Sequence, residues 1–219
     1  MKRKIKGVLF LLLGVALLLM AGGWYIYNLA EDNNAGKQAT DILEQMEALQ
    51  NNTAINTKPQ TEKPEASNAL EDVSQTEDVS EDDAPMVYES PLIYINGEAF
   101  CGKVEIEKLG IKLPIYNEWD YAKLKTAPCR YMGNAYTNDM IIAAHNYKSH
   151  FGNLKDLEIG DEIKFTDPMG NEYVYAVCEI ITLDGTAVSD MNSGDWDFTL
   201  FTCTKGGKQR VTVRCERKY

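Results

Sequence analysis

Asp197-Phe-Thr-Leu-Phe-Thr-Cys-Thr204, followed after a short turn by Gln209-Arg-Val-Thr-Val-Arg214, is the stretch on which the fold turns. In both halves apolar residues alternate with polar ones: Phe198 and Leu200 in the first, Val211 and Val213 in the second. β-Branched and aromatic types dominate, so both halves read as strands. Between them, Gly206-Gly207 supplies the positive φ that a tight turn needs. The product is a hairpin that ends one strand on Cys203 and opens the next at Arg210, so the two side chains can approach each other. The cation favours thiolate over thiol, and its N–H groups can hold an oxyanion. Taken alone, the pair reads more readily as a small buried hydrophobe and a solvated edge residue.

The surrounding segment, 91–219, has the size of a single domain with one core, about 130 residues, and its pattern is mostly β. Ile93–Ile95 and Lys103–Leu109 alternate, and Ile111–Ile115 is a short strand whose proline suits a sheet edge. Trp119–Lys125 reads as a short helix. Met140-Ile-Ile-Ala-Ala144 is a continuous apolar run, as in a strand buried on both faces. Asp161–Phe165 and Glu172–Leu183 flank the turn Asp167-Pro-Met-Gly-Asn171 and form a long hairpin. Gly185–Trp196 is polar and reads as a loop with one helical turn at most. Seven or eight short strands with little helix indicate a closed or nearly closed barrel.

His145 follows the buried run directly, which sets it at a strand end on a rigid scaffold; the chain has only one other histidine, His150. A histidine after an apolar strand can be purely structural. Sharing a domain with a strand-end cysteine and a facing arginine, it completes a set of nucleophile, proton shuttle and oxyanion donor, the parts needed for acyl transfer.

At the other end, residues 1–6 carry four positive charges, and residues 7–27 carry none. A helix over this apolar run spans a bilayer core of roughly 30 Å. Trp24, Tyr25 and Tyr27 lie where an interfacial aromatic belt belongs. Basic residues before the span and Glu31-Asp32 after it predict a cytoplasmic N-terminus and an external remainder, and the run is longer than a signal-peptide core. The expected division is a 1–6 tail, a 7–27 transmembrane helix, a 28–90 linker and the 91–219 domain. From Glu31 to Ser90 there are 15 acidic and 3 basic residues, so the chain's net −11 belongs to the linker. That charge therefore gives no argument for nucleic acid binding at the domain. Thr40–Asn51 can form a short helix with Ile42, Met46 and Leu49 on one face; the remainder to Glu89 is too polar to fold.

Thr199-Leu-Phe-Thr-Cys203, Ile142-Ala-Ala-His145-Asn146 and His150-Phe-Gly-Asn-Leu154, with Arg210 opening the strand after the cysteine, together resemble the sortases, membrane-anchored cysteine transpeptidases of Gram-positive cell surfaces. Gly160-Asp161 and Tyr173-Val-Tyr175 fit as well, and the likeness runs from about Gly102 to Glu216. The resemblance implies an eight-stranded sortase-type β-barrel with short helices. Cys203 would be the nucleophile, His145 the general acid/base, Arg210 the oxyanion and substrate clamp, and Thr202 a substrate contact. An LPxTG-like sorting signal would be cleaved at Thr–Gly and passed to a peptidoglycan-precursor or pilin amine. A pilin-polymerising sortase and a cysteine hydrolase with the same triad are the alternatives. Ala144 stands where glycine is common in the family, and 82–88 is only a weak match to a lid motif. Arg214, four residues beyond Arg210, is expected out of reach of Cys203, and His150 is expected at the entrance. Cys101, Cys129, Cys178 and Cys215 read as buried hydrophobes with disulfides as the alternative. No metal and no cofactor are implied.

Overall fold

The computed structural model describes residues 2–56 and 90–219. In chain order the elements are α1 (Lys2–Asn56), β1 (Ile93–Ile95), β2 (Glu98–Ile106), β3 (Ile111–Tyr116), β4 (Cys129–Met132), β5 (Met140–Ala144), β6 (Glu162–Thr166), β7 (Glu172–Asp184), α2 (Val188–Met191), β8 (Phe198–Cys203) and β9 (Gln209–Arg217). Around the sheet the order β2-β3-β4-β5-β8-β9-β7-β6 returns to β2, which closes a barrel of eight strands. The short β1 is a ninth strand added to β2 outside this ring.

All five residues of β5 are buried, as a continuous apolar strand requires. Ile142 and Leu200 meet Val104, Ile115, Ile163 and Val213 in the barrel interior. The Tyr175 and Phe198 rings stack there with centroids 4.4 Å apart. In the β8–β9 hairpin, Gly206 and Gly207 take φ of +93° and +74°, the left-handed turn read from the sequence. Pro114 lies in β3, whose pairing with β4 is confined to Tyr116 and Cys129, so the missing N–H breaks no ladder on that flank. The Trp119–Lys125 segment is shorter than a helix: only Lys123–Lys125 forms a 3-10 turn, and just before it Asp120 Oδ1 accepts from the Ala122 and Lys123 N–H groups.

The largest departure from the sequence expectation lies in α1. The linker predicted over 28–90 is helical as far as Asn56 and is docked on the barrel. Ala35, Ala39, Leu43 and Met46 are buried on one face, while Leu49, expected on that face, is 43% exposed. Glu47 pairs with Lys103 and Lys112 at 3.2 and 2.6 Å, and the Gln50 side chain donates to the carbonyls of Asp167 and Pro168. The docked length from Glu31 to Gln50 is about 29 Å at helical rise. Residues 57–89, including the region compared with a lid motif, lie outside the described residues. Toward the N-terminus, Phe10–Leu29 presents large exposed apolar side chains on one long helix, compatible with a single membrane crossing.

Candidate active site

Met140 to Ala144 pair in parallel with Phe198 to Thr202, the last pair being Ala144 and Thr202. One residue further along, His145 directly follows β5 and Cys203 ends β8. The strand spacing of about 4.8 Å therefore sets these two residues at the same level of the backbone. In the antiparallel hairpin Cys203 stands directly opposite Arg210, where directly paired residues share a face. The topology thus brings the three residues to one end of three adjacent strands.

Beside them is a groove of about 290 Å³. Cys203, Arg210 and Val188 line it, together with an aromatic wall of Trp119, Tyr131 and Phe201. Edge-on aromatic contacts build that wall: Tyr131 meets Phe201 at 5.5 Å and Trp119 at 6.4 Å, each near 89°. The Cys203 thiol is half-buried at the groove. Three of the other thiols are unsuited to nucleophilic work: burial pushes Cys101 up to about 12 and Cys129 up to about 11, and raises Cys215 as well. All five cysteines are free.

The His145 ring is held from two directions. Its Nδ1 lies 3.1 Å from Asn146 Oδ1 and 3.2 Å from the Asn146 N–H. When protonated, Nδ1 can donate to the first; when bare, it can accept from the second, so both states of a proton shuttle are accommodated. Tyr147 stacks on the imidazole at 4.1 Å and 6°. The loop that follows folds tightly: Phe151 donates to the His145 carbonyl and Gly152 to that of Tyr147. A Cβ at Gly152 would lie 2.6 Å from the carbonyl oxygens of Asn146 and Tyr147, so only glycine closes this loop.

Arg210 Nη1 donates to the carbonyls of Gly207 (2.8 Å) and Gln209 (3.1 Å). The turn thereby anchors one corner of the guanidinium. Among the described residues its Nε and Nη2 donors have no hydrogen-bond partner. Asp184 lies in the same groove; the Thr186 hydroxyl and N–H, and then the Arg210 charge, hold its carboxyl below the usual range.

Thr202 and His150 are placed otherwise than expected, and Arg214 lies away from Cys203 as expected but has a task of its own. Thr202 points away from the groove: 3% exposed, it donates its hydroxyl to the Ala144 carbonyl at 2.9 Å and so fastens β8 to β5. The strand pleat explains this, since Phe201 and Cys203 occupy the opposite face. Arg214, beside Thr199 rather than Cys203, is buried and donates to the carbonyls of Ser193 (2.6 Å) and Asp190 (2.5 Å). It lies 3.4 Å from Glu179 and against Trp196. It therefore pins the 185–197 loop, which supplies Val188 and Met191 to the groove. Replacing Arg214 with Met should loosen that wall and raise KM roughly tenfold, about the worth of one charged hydrogen bond, with kcat changed far less. Steady-state kinetics check this, and an unchanged KM would contradict it.

His150 is fully buried rather than at an entrance, and neither ring nitrogen makes a hydrogen bond of good geometry among the described residues. Burial and then the neighbouring His145 push it down to about 4, with the Asp32 carboxylate pulling the other way. Its folded pKa lies below the unfolded value of about 6.5. Its neutral form is therefore favoured by folding, and stability is lost as pH falls from 6.5 toward 4. The loss amounts to roughly 3 kcal/mol. Thermal unfolding at pH 7.5 and 4.5 should show a smaller acid penalty for His150→Leu than for wild type; equal penalties would contradict the assignment.

The groove aromatics, Asp184 and the clamp on the 185–197 loop were not legible as site residues beforehand. The available signals were Trp119 and Tyr121 within a turn-like segment and Asp184 at a strand end.

Residues 104–218, more than half of the chain, match the family model described as Sortase domain. Sortase C1 from Streptococcus agalactiae is similar in structure at 26% identity and a TM-score of 0.52, over 57% of this chain and 71% of that one. Sortase A from Corynebacterium diphtheriae shares the fold at 24% identity and a TM-score of 0.50, over 56% and 62%. No curated protein matches the chain.

Proposed function

The chain belongs to the sortase family, and from that premise we propose that it is a cysteine transpeptidase in which Cys203, His145 and Arg210 perform the chemistry. Enzymes of this kind act on surface proteins bearing a sorting signal and on an acceptor amine. The observation that carries the residue assignment is the shared register: Ala144 beside Thr202 and Cys203 opposite Arg210.

The Cys203 thiolate attacks the Thr–Gly carbonyl of an LPxTG-like signal. As the C–S bond forms, the carbonyl oxygen takes the negative charge, and the free N–H groups of Arg210 are suited to receive it. His145, as imidazolium, gives its proton to the glycine nitrogen while the C–N bond breaks, leaving a thioester on Cys203 and a neutral His145. An incoming amine attacks the thioester, loses its proton to His145 and displaces the thiolate. The enzyme returns to its starting state with one amide exchanged for another. The Asp184 carboxylate in the groove favours a cationic acceptor. The aromatic wall suits the apolar part of the signal.

The reading includes a single membrane crossing over 7–27 with the barrel on the external side, supported by the basic residues before the span. The full-length chain in detergent micelles, incubated with LPxTG-type peptides and triglycine, should release the C-terminal glycine fragment and join the remainder to the amine. Product masses decide: water-terminated product alone, whatever the amine concentration, would favour a hydrolase.

A further inference from the structure

The docked part of α1 meets the barrel at the loop that carries His145. Asp32 accepts from the Lys148 N–H (3.0 Å), the Ser149 N–H (3.0 Å) and the Ser149 hydroxyl (2.6 Å). The same hydroxyl lies 3.0 Å from the Asp32 carbonyl oxygen. One turn along, the chain comes so close that a Cβ on Gly36 would sit 2.9 Å from Ser149 Cβ. Glycine and alanine at positions 35, 36 and 39 therefore let the helix backbone approach the loop. Partial burial pushes the Asp32 carboxyl up, but the Ser149 hydroxyl and the two N–H groups outweigh it and hold the group below its usual range. It stays ionised through the neutral range and keeps accepting.

The loop so held runs straight back to the imidazole. Tyr147, next to Lys148, is the residue stacked on His145. Burial, followed by the Glu31 carboxylate, pushes its phenol up to about 12. His150, on the far side of Ser149, is the fully buried end of the same segment. The segment 147–150 is thus gripped by the helix at its centre, with the His145 stack at one end and a buried ring at the other.

We propose that Asp32 is a positioning residue for the reaction: by capping the Lys148 and Ser149 N–H groups it fixes the loop whose Tyr147 ring sets the orientation of the His145 imidazole. The inference rests on His145 being the acid/base. It makes the helix that carries the apolar span part of the catalytic apparatus rather than a tether. Asp32 touches neither substrate nor reacting atoms; it acts through the loop.

Full-length wild type, Asp32→Ala, Asp32→Asn, Ser149→Ala, Glu47→Ala and His145→Ala are compared in micelles. Steady-state kinetics are measured across pH, together with the pH dependence of Cys203 alkylation by iodoacetamide, mapped by mass. Asp32→Ala should lower kcat about 10- to 100-fold, the scale of a misplacement near 1 Å, with KM within about twofold. It should also shift the pH limb of both kcat and Cys203 alkylation. Asp32→Asn keeps one acceptor and should fall between. Ser149→Ala removes only the hydroxyl leg, should show a smaller change of the same kind, and serves if Asp32→Ala fails to fold. Glu47→Ala removes ion pairs at the far end of the docked helix and should leave kcat unchanged. An Asp32→Ala enzyme with wild-type kcat and pH profiles overturns the proposal, as does an equal loss in Glu47→Ala, which would reduce Asp32 to general docking. Activity retained by His145→Ala overturns the underlying reading instead.

Discussion

Replacing Cys203 with alanine is expected to lower kcat for transpeptidation by at least about 10³-fold while leaving thermal stability nearly unchanged. On the proposed mechanism the loss follows from removing the sulfur that forms the thioester; what remains is substrate binding and any surviving oxyanion contacts. Stability should hold because the side chain is half-buried at the groove edge, and removing one sulfur there opens no cavity in the core. The three buried thiols cannot substitute from within the barrel. Cys101, Cys129 and Cys215 are buried, and burial raises each of them. Rates of amide product formation check this. A Cys203→Ala enzyme within tenfold of wild type would remove the nucleophile from the scheme.

Arg210→Ala should be the second largest effect, a fall of about 10²- to 10³-fold in kcat, the scale for losing an oxyanion donor. On the proposed role the effect belongs in kcat, because the charge it would stabilise exists only in the transition state. Arg210→Lys should restore little. The guanidinium is oriented by Nη1 donating to the Gly207 and Gln209 carbonyls, which leaves other donors of the same rigid plane for the substrate. An ammonium has no second arm to anchor while it donates elsewhere. If Arg210→Ala changed KM alone, its part would be ground-state binding and not oxyanion stabilisation.

What could be read from the chain, and what could not, divides along physical lines. The β8–β9 hairpin was legible because alternation, a Gly-Gly turn and β-branched residues all agree over a short separation. β5 was legible from five consecutive apolar residues. The pairing of β5 with β8 is not a local signal, since more than fifty residues separate them; the motif likeness supplied what periodicity could not. The roles of Thr202 and Arg214 depend on which pleat face each occupies and on loop carbonyls brought in from a distance. Of the docked helix, the part over Thr40–Asn51 was legible from Ile42 and Met46, but the part before it was missed for a different reason. There the contact face is Ala35, Gly36 and Ala39, small residues that carry little hydropathy signal and work by allowing close approach. Its acidic side chains suggested a solvated tether. Instead, Glu47 meets Lys103 and Lys112, and Asp32 meets backbone N–H groups. Composition records charge but not the partner that meets it.

The most direct test of the central claim is the intact mass of the full-length enzyme after mixing with an excess of LPxTG-type peptide in the absence of amine. The mechanism requires a mass increase equal to the peptide's N-terminal part up to threonine, less the proton lost from the thiol. Peptide mapping should locate it on Cys203, and addition of triglycine should discharge it with formation of the amide product. Amide product appearing without any such adduct, or an adduct mapped to another residue, would contradict the account.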